Sequence, residues 1–369
     1  MILTDQIAAL RIKLRDKLIR FTTFDLVKAS RVRHTNRTFG RKKPQSLALS
    51  AAQRQEILDY WKPYRKLDKR LHWFAFYNAI CTDKAQLKRH IPDHIFYSEI
   101  DLHFTSPRQC ETLDDKNLYD LYFHDVRMPR TIVRWIDGQA FDKHYQPITM
   151  EQALQRCASA RQVVCKDAKL SSGGHGVRFF DFSQCTIDDL KKCLSGNACL
   201  NIQEAITQHE TLNRIHDKSI NTLRIMSLML DGTVHILSSV LRMGRDGARV
   251  DNASSGGIVC GINTDGTLKE FAYDTAGRRC SQHPQGTVFK GTRIEGYDKC
   301  CALVKRLAGR FATATRLISW DFAVGEDGEP ILIEVNLTYG ELDFHQMCNG
   351  PIFGDLTEEI LSRVYQQSK

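Results

Sequence analysis

No stretch of this sequence comes near the roughly 20 consecutive apolar residues that crossing a bilayer requires, so no spanning helix is expected. The opening MILTDQIAALRIKLRDKL carries too many charges for the apolar core of a secretory leader, and the expected location is the cytosol. Twelve cysteines are present, yet none forms a Cys-x-x-Cys pair or joins histidines at zinc spacing. That argues against a structural zinc module and leaves reduced, mostly buried thiols as the reading, because a free cysteine packs as a small hydrophobe. Internal repeats and low-complexity tracts are also lacking. In the basic N-terminal segment no aromatic residues interleave with the charges in a recognisable nucleic-acid module, so no nucleic-acid partner is expected.

What is present is the composition of an ordinary globular protein, 42% hydrophobic and 26% charged over 369 residues, enough for two packed domains. The charge is concentrated. Residues 11–43 hold twelve Lys or Arg against Asp16 and Asp25, so this segment exceeds the whole chain's net charge of +9. Ile7, Leu10, Leu14, Leu18 and Phe21 recur at helical spacing among these basic residues, which predicts an amphipathic helix with a cationic face. Two readings stand for residues 7–43: a helix packed on the main body, or a segment lying on an anionic membrane surface.

Further along, Ser50-Ala-Ala-Gln53 predicts a capping box opening a helix that stops before Pro63. Tyr64, Leu67, Leu71 and Phe74 predict a second helix, with a loop-rich region to about Cys110. From Arg161 strands dominate, and the texture is α+β with antiparallel sheets. The stretch KDAKLSSGGHGVRFF joins a strand ending at Lys166 to one starting at Val177, through a loop rich in serine and glycine. Glycines let the backbone come close to a ligand and turn several N–H groups into one concavity, which suits phosphate oxygens.

The segment LISWDFAVGEDGEPILIEVN predicts a hairpin. Pairing Val324 with Ile331 would set Asp321 opposite Glu334, with Asn336 on the same face. Two carboxylates and an amide converging in this way suit Mg²⁺, which takes one or two carboxylates and completes its shell with water and phosphate.

Lysine, glycine loop, several strands, then a carboxylate hairpin ending Glu-x-Asn: in that order, from about Leu113 to Asn336, the sequence resembles the ATP-grasp superfamily. QEAITQHETLNRIHDKSINTLRI is most similar to its sugar-transfer associated branch. The resemblance implies two α+β subdomains clasping ATP between antiparallel sheets, with a mostly helical, basic N-terminal region. The expected division is 1–45, a basic segment and linker; 46–112, a helical region; 113–206, with phosphate loop and hinge; and 207–369, with the metal site. It also implies roles. Lys116 and Lys166 contact ATP, and Ser172, Gly173, Gly174, His175, Gly176 and Val177 cover its phosphates. Gln203, Glu204 and Ile206 form the adenine hinge. Asp321, Glu334 and Asn336 hold Mg²⁺. Arg242 and Arg224 act in catalysis, and Arg224 and Asn252 occupy places where relatives bind phosphate or metal. His209 and His216 read as polar loop residues, and GELDFHQMCNGPIFG as either a lining of the acceptor pocket or a plain closing loop.

The activity this implies is ATP- and Mg²⁺-dependent carboxylate–amine ligation through an acyl phosphate. The partners would be a small-molecule or glycan carboxylate, such as a uronic acid, and an amine, in cell-surface polysaccharide synthesis. Phosphoryl transfer to a hydroxyl and a non-catalytic nucleotide-binding scaffold at the membrane are the alternatives. Residues 1–112 lack the βαβ acceptor domain with which many relatives begin, so the sequence leaves the acceptor unnamed.

Overall fold

The computed structural model describes residues 10, 11, 14, 18, 46–68, 71–169, 176–252 and 256–366. The chain forms two units, one joining Met1–Phe104 to Gly350–Lys369 and the other spanning Thr105–Asn349.

In the first unit the expected capping box is formed: Ser50 Oγ accepts from the amide of Gln53 and the Gln53 side chain accepts from that of Ser50, opening the helix Ala51–Trp61. The second helix starts later than its apolar spacing predicts, at His72, because Leu71 takes a left-handed backbone (φ 50°) that breaks the helical path. The region up to Cys110 is not loop but a run of short helical turns, beginning with Lys84–Arg89. Trp61, Phe74, Phe76 and Tyr77 are buried in this unit. The C-terminal helix Thr357–Tyr365 is tied to it through polar contacts: Glu358 accepts from Tyr60 and Arg89, and Glu99 accepts from Tyr365 and both arms of Arg65. Of the predicted N-terminal stripe, Ile7 and Phe21 lie outside the described residues, whereas Leu10, Leu14 and Leu18 are helical and more than half exposed. Among the described residues no helix is long and apolar enough to cross a membrane.

The second unit contains two antiparallel sheets. The first has six strands, β1 (Thr131–Ile136), β2 (Gln139–Phe141), β3 (Pro147–Ile148), β4 (Gln162–Asp167), β5 (Arg178–Asp181) and β6 (Cys199–Glu204), in the order β3-β2-β1-β6-β4-β5. The helices Met150–Ser159 and Ile187–Ser195 bury Leu154, Cys157, Leu190 and Leu194 in its core. The second has seven, β7 (Thr222–Leu230), β8 (Thr233–Met243), β9 (Ile258–Ile262), β10 (Leu268–Tyr273), β11 (Arg279–Cys280), β12 (Leu317–Val324) and β13 (Pro330–Asn336). Their order is β11-β10-β9-β8-β7-β12-β13. β7 and β8 are joined at Asp231-Gly232, both left-handed, the combination a two-residue hairpin turn demands. Trp320, Phe322 and Val324 alternate into the core beneath the helix Tyr297–Leu307, while Ser319 and Asp321 take the other face. All twelve cysteines are free thiols, six of them buried.

The hairpin register departs from expectation near its tip. Val324 pairs with Pro330 and Ala323 with Ile331, one residue off the predicted pairing. An irregularity between Asp321 and Phe322 then restores the count, and Asp321 does face Glu334.

Candidate active site

β12 lies between β7 and β13, and its central position assembles the site. Asp321 is opposite Glu334 on one side and opposite Arg224 on the other. Arg224 grips Asp321 with two parallel hydrogen bonds, Nε to Oδ1 at 2.7 Å and Nη2 to Oδ2 at 2.6 Å, and reaches Glu341 with Nη1 at 2.5 Å. Burial works to raise the pKa of Asp321, but Arg224 and Arg242 outweigh it and hold the carboxyl below its ordinary range. The same contest, settled by Arg224, holds Glu341 low and keeps Arg224 itself firmly charged. Asn336 Nδ2 donates to Asp321 Oδ2 at 3.3 Å, leaving its side-chain oxygen turned elsewhere.

Arg242 stands one strand further, on β8. Its Nη1 is 3.7 Å from Asp321 Oδ2 and its Nε is 3.8 Å from Asp251 Oδ2, while Nη2 donates to Asn252 Oδ1. Among the described residues neither Arg242 Nε nor Asp251 Oδ2 has a hydrogen-bond partner, although both atoms are buried. Such orphaned polar atoms mark a place shaped for something polar that the chain does not supply.

From the first sheet come the lysines. Lys116 opens a short turn after Asp115, whose side chain caps the amide of Asn117. That turn is clamped to the sheet: Arg134 on β1 donates to the Asn117 carbonyl at 3.0 Å, and Asn201 on β6 donates to Asn117 Oδ1 at 2.9 Å. Lys116 Nζ thereby sits 2.8 Å from Glu334 Oε1. Tyr119, one turn on, donates its hydroxyl to the carbonyl of Val335 at 3.3 Å, which holds the strand carrying Glu334 and Asn336. Lys166, at the end of β4, is half-buried. Burial, reinforced by Lys116 against the pull of Glu334, lowers its pKa to about 8. Lys116, Lys166, Arg224 and Arg242 thus meet Asp321, Glu334, Glu341 and Asp251 in one cluster, cation for carboxylate.

The profile of the family described as sugar-transfer associated ATP-grasp matches residues 97–361. The chain belongs to that family. The match extends beyond the Leu113–Asn336 span legible in the sequence. Similar solved structures are D-alanyl-alanine synthetase A from Vibrio cholerae (14% identity, 71% of this chain and 67% of that one, TM-score 0.43). D-cycloserine synthetase DcsG is similar at 16% identity, 69% and 72% coverage and a TM-score of 0.39. The ATP-grasp ligase PsnB, in complex with minimal precursor, Mg and ADP, is similar at 15%, 71% and 62%, with a TM-score of 0.41. These likenesses are distant. No curated protein matches.

In this ATP-grasp chain the remaining expected residues are placed as follows. Ser172, Gly173, Gly174 and His175 lie outside the described residues. Gly176 is left-handed (φ 82°), and a Cβ there would strike Asp167 Oδ2 at 2.0 Å, so glycine is required. Val177 follows it into β5. Gln203 is buried on β6, its Oε1 without a partner among the described residues, and Glu204 is ion-paired with Arg130. Ile206 follows the strand. His209 caps the turn Glu210–Asn213, and His216 Nε2 meets the carbonyl of Ala248, both structural duties. Asp251, Glu341 and His345 also stand in this cluster; Glu341 and His345 belong to the segment GELDFHQMCNGPIFG, expected either to line the acceptor pocket or to form a closing loop, without being singled out. Asp251 had a signal, since it adjoins Asn252; Glu341 follows a glycine in a left-handed turn (φ 61°) that no local pattern announces.

Proposed function

We propose that this chain is an ATP-dependent carboxylate–amine ligase. The observation that carries the reading is the convergence of Lys116, on a turn clamped to the first sheet, Lys166, at the end of β4, and two arginines of the second sheet on the Asp321–Glu334–Asn336 face. Lys116 and Lys166 would contact ATP phosphates, with the segment Ser172–Val177 above them and Gln203, Glu204 and Ile206 at the adenine. Arg242, with its unpaired Nε, would neutralise the phosphoryl group in transfer, while Arg224 fixes Asp321 and Glu341 in place.

The donor set suits Mg²⁺: Glu334 has an oxygen not engaged by Lys116, Asn336 has its side-chain oxygen, and Asp321 keeps lone pairs beyond those given to Arg224. Among the described residues no group of three or more His, Cys, Asp or Glu is set around a metal position. Magnesium, when bound, would supply positive charge against the phosphate oxygens. The protein's part is positioning: held side chains bring a carboxylate oxygen to the terminal phosphorus, ADP leaves as the acyl phosphate forms, and an amine then attacks the acyl carbon, loses a proton and expels inorganic phosphate to leave the amide.

The family's sugar-transfer association supports a glycan carboxylate such as a uronic acid as acceptor. The exposed Leu10, Leu14 and Leu18 within the basic segment support an anionic membrane surface as the place of work. The test is ADP and phosphate release by purified protein with ATP, Mg²⁺, and a panel of uronic acids and amino acids. Amide product and phosphate release that both require the amine support ligation. Phosphate transferred to a sugar hydroxyl without amine overturns it.

A further inference from the structure

His345 lies on the helix Leu342–Asn349 and is 1% exposed. Its Nδ1 is 2.8 Å from Ser238 Oγ on β8, and its Nε2 is buried with no hydrogen-bond partner among the described residues. The charges that face the ring are Arg224, Glu341, Asp321 and Arg242, the same groups that form the site. A histidine deep in an ion-pair cluster with one nitrogen left unused is a group awaiting a partner.

The proton position follows from the neighbours. Asn349 Nδ2 donates to the carbonyl of Ser239 at 2.9 Å and to Ser238 Oγ at 2.8 Å. The carbonyl accepts only, so it fixes the amide with its nitrogen toward β8. Ser238 Oγ therefore already accepts one hydrogen, and its own O–H needs an acceptor. His345 Nδ1 is the acceptor at hand among the described residues. The relay runs Asn349 to Ser238 to His345, which leaves the ring proton on Nε2.

We propose that His345 is a substrate-binding donor: its neutral Nε2–H binds an oxygen of the acceptor's carboxylate, between the guanidinium groups of Arg224 and Arg242. This rests on the ligase reading above and adds the residue that orients the carboxylate for attack. Burial first, with Arg224, lowers the imidazole's pKa to about 3, so the donor persists at every pH where the enzyme would work. A carboxylate here completes the hydrogen bond that the chain leaves open. The two arginines that face the ring are matched by Asp321 and Glu341, so the Nε2–H donor, not a net positive charge, is what selects an accepting oxygen.

Long-range nitrogen-15 NMR on the full chain, with the His345 signal assigned by its loss in His345→Gln, reads the tautomer directly. The expected form is Nε2-protonated. Titrating acetate and glucuronate as probe carboxylates, with Mg²⁺ and a non-hydrolysable ATP analogue present, should shift the Nε2 resonance saturably. By calorimetry, His345→Leu should weaken glucuronate binding about tenfold, whereas His345→Gln, which keeps an N–H near the Nε2 position, should stay within about threefold of wild type. Unchanged nucleotide affinity in both variants shows that they are folded. An Nδ1-protonated ring, no shift with either carboxylate, or equal losses in the two variants overturns the assignment. Absence of nucleotide binding by the wild type would instead sink the ligase reading itself.

Discussion

Raising the pH through 8 should strip the charge from Lys166 in the free protein, and ATP should put it back. Burial lowers the ammonium to about 8 from the ordinary lysine value of 10.5. Phosphate oxygens set against it would restore the ordinary value, so binding takes up a proton wherever the free lysine has lost one. The uptake is about 0.1 proton per ATP at pH 7, about 0.5 at pH 8 and about 0.9 at pH 9. Above pH 8 the affinity itself should fall by up to about tenfold per pH unit. The nucleotide does not confuse the count, since a terminal phosphate with a second pKa of about 6 is already ionised there. Titration calorimetry in HEPES and in Tris, which differ in ionisation enthalpy, reads the uptake from the difference in apparent heat. Lys166→Arg keeps its charge across this range and should abolish the buffer dependence. Without ligand, the same lysine should make stability rise between about pH 8 and 10.5, because the unfolded chain holds the extra proton. Equal heats in the two buffers at pH 8 to 9, or the same dependence in Lys166→Arg, would refute the placement of this lysine at the phosphates.

Asp321→Asn should both stop ATP turnover and cost about 3 kcal/mol of stability in urea, because it leaves Arg224 buried without its bidentate partner. A loss below about 1 kcal/mol would show that the pair is not closed in solution. Cys193 should react first with iodoacetamide at neutral pH, since its hydrogen bond with Cys165 lowers its thiol to about 7 while the buried Cys165 is driven up. Peptide mapping that finds another cysteine labelled faster contradicts that contact. The protein should sediment with vesicles rich in anionic lipid and be released by 1 M salt, where the Debye length is about 3 Å. Binding that ignores lipid charge, or that survives deletion of residues 1–43, removes the N-terminal segment from the membrane reading.

Strands and the carboxylate hairpin were legible because alternation over eight or nine residues leaves little choice of face. Lys116 could be named from DDKNLYDLYF only through resemblance; nothing local shows that Arg134 and Asn201 will clamp its turn. The helix Met150–Ser159 was overlooked although Thr149 and Gln152 form a capping box, since its polar surface hides the apolar spacing. The second N-terminal helix was placed too early because spacing cannot reveal the left-handed Leu71. Asp251, Glu341 and His345 come from a loop, a turn and a helix that meet only in three dimensions, and no one-dimensional period connects them.

The irregularity at Asp321/Phe322 has a practical side. It lies between the hairpin tip and the Asp321–Glu334 pair, and the pair is also held from outside by β7 and by Tyr119 on Val335. Alignment of the carboxylates is therefore uncoupled from the length of the Gly325–Glu329 loop. That loop is a seam in the chain, a position where a fluorophore, an affinity tag or new termini could be introduced while the chemistry a few residues away keeps its geometry.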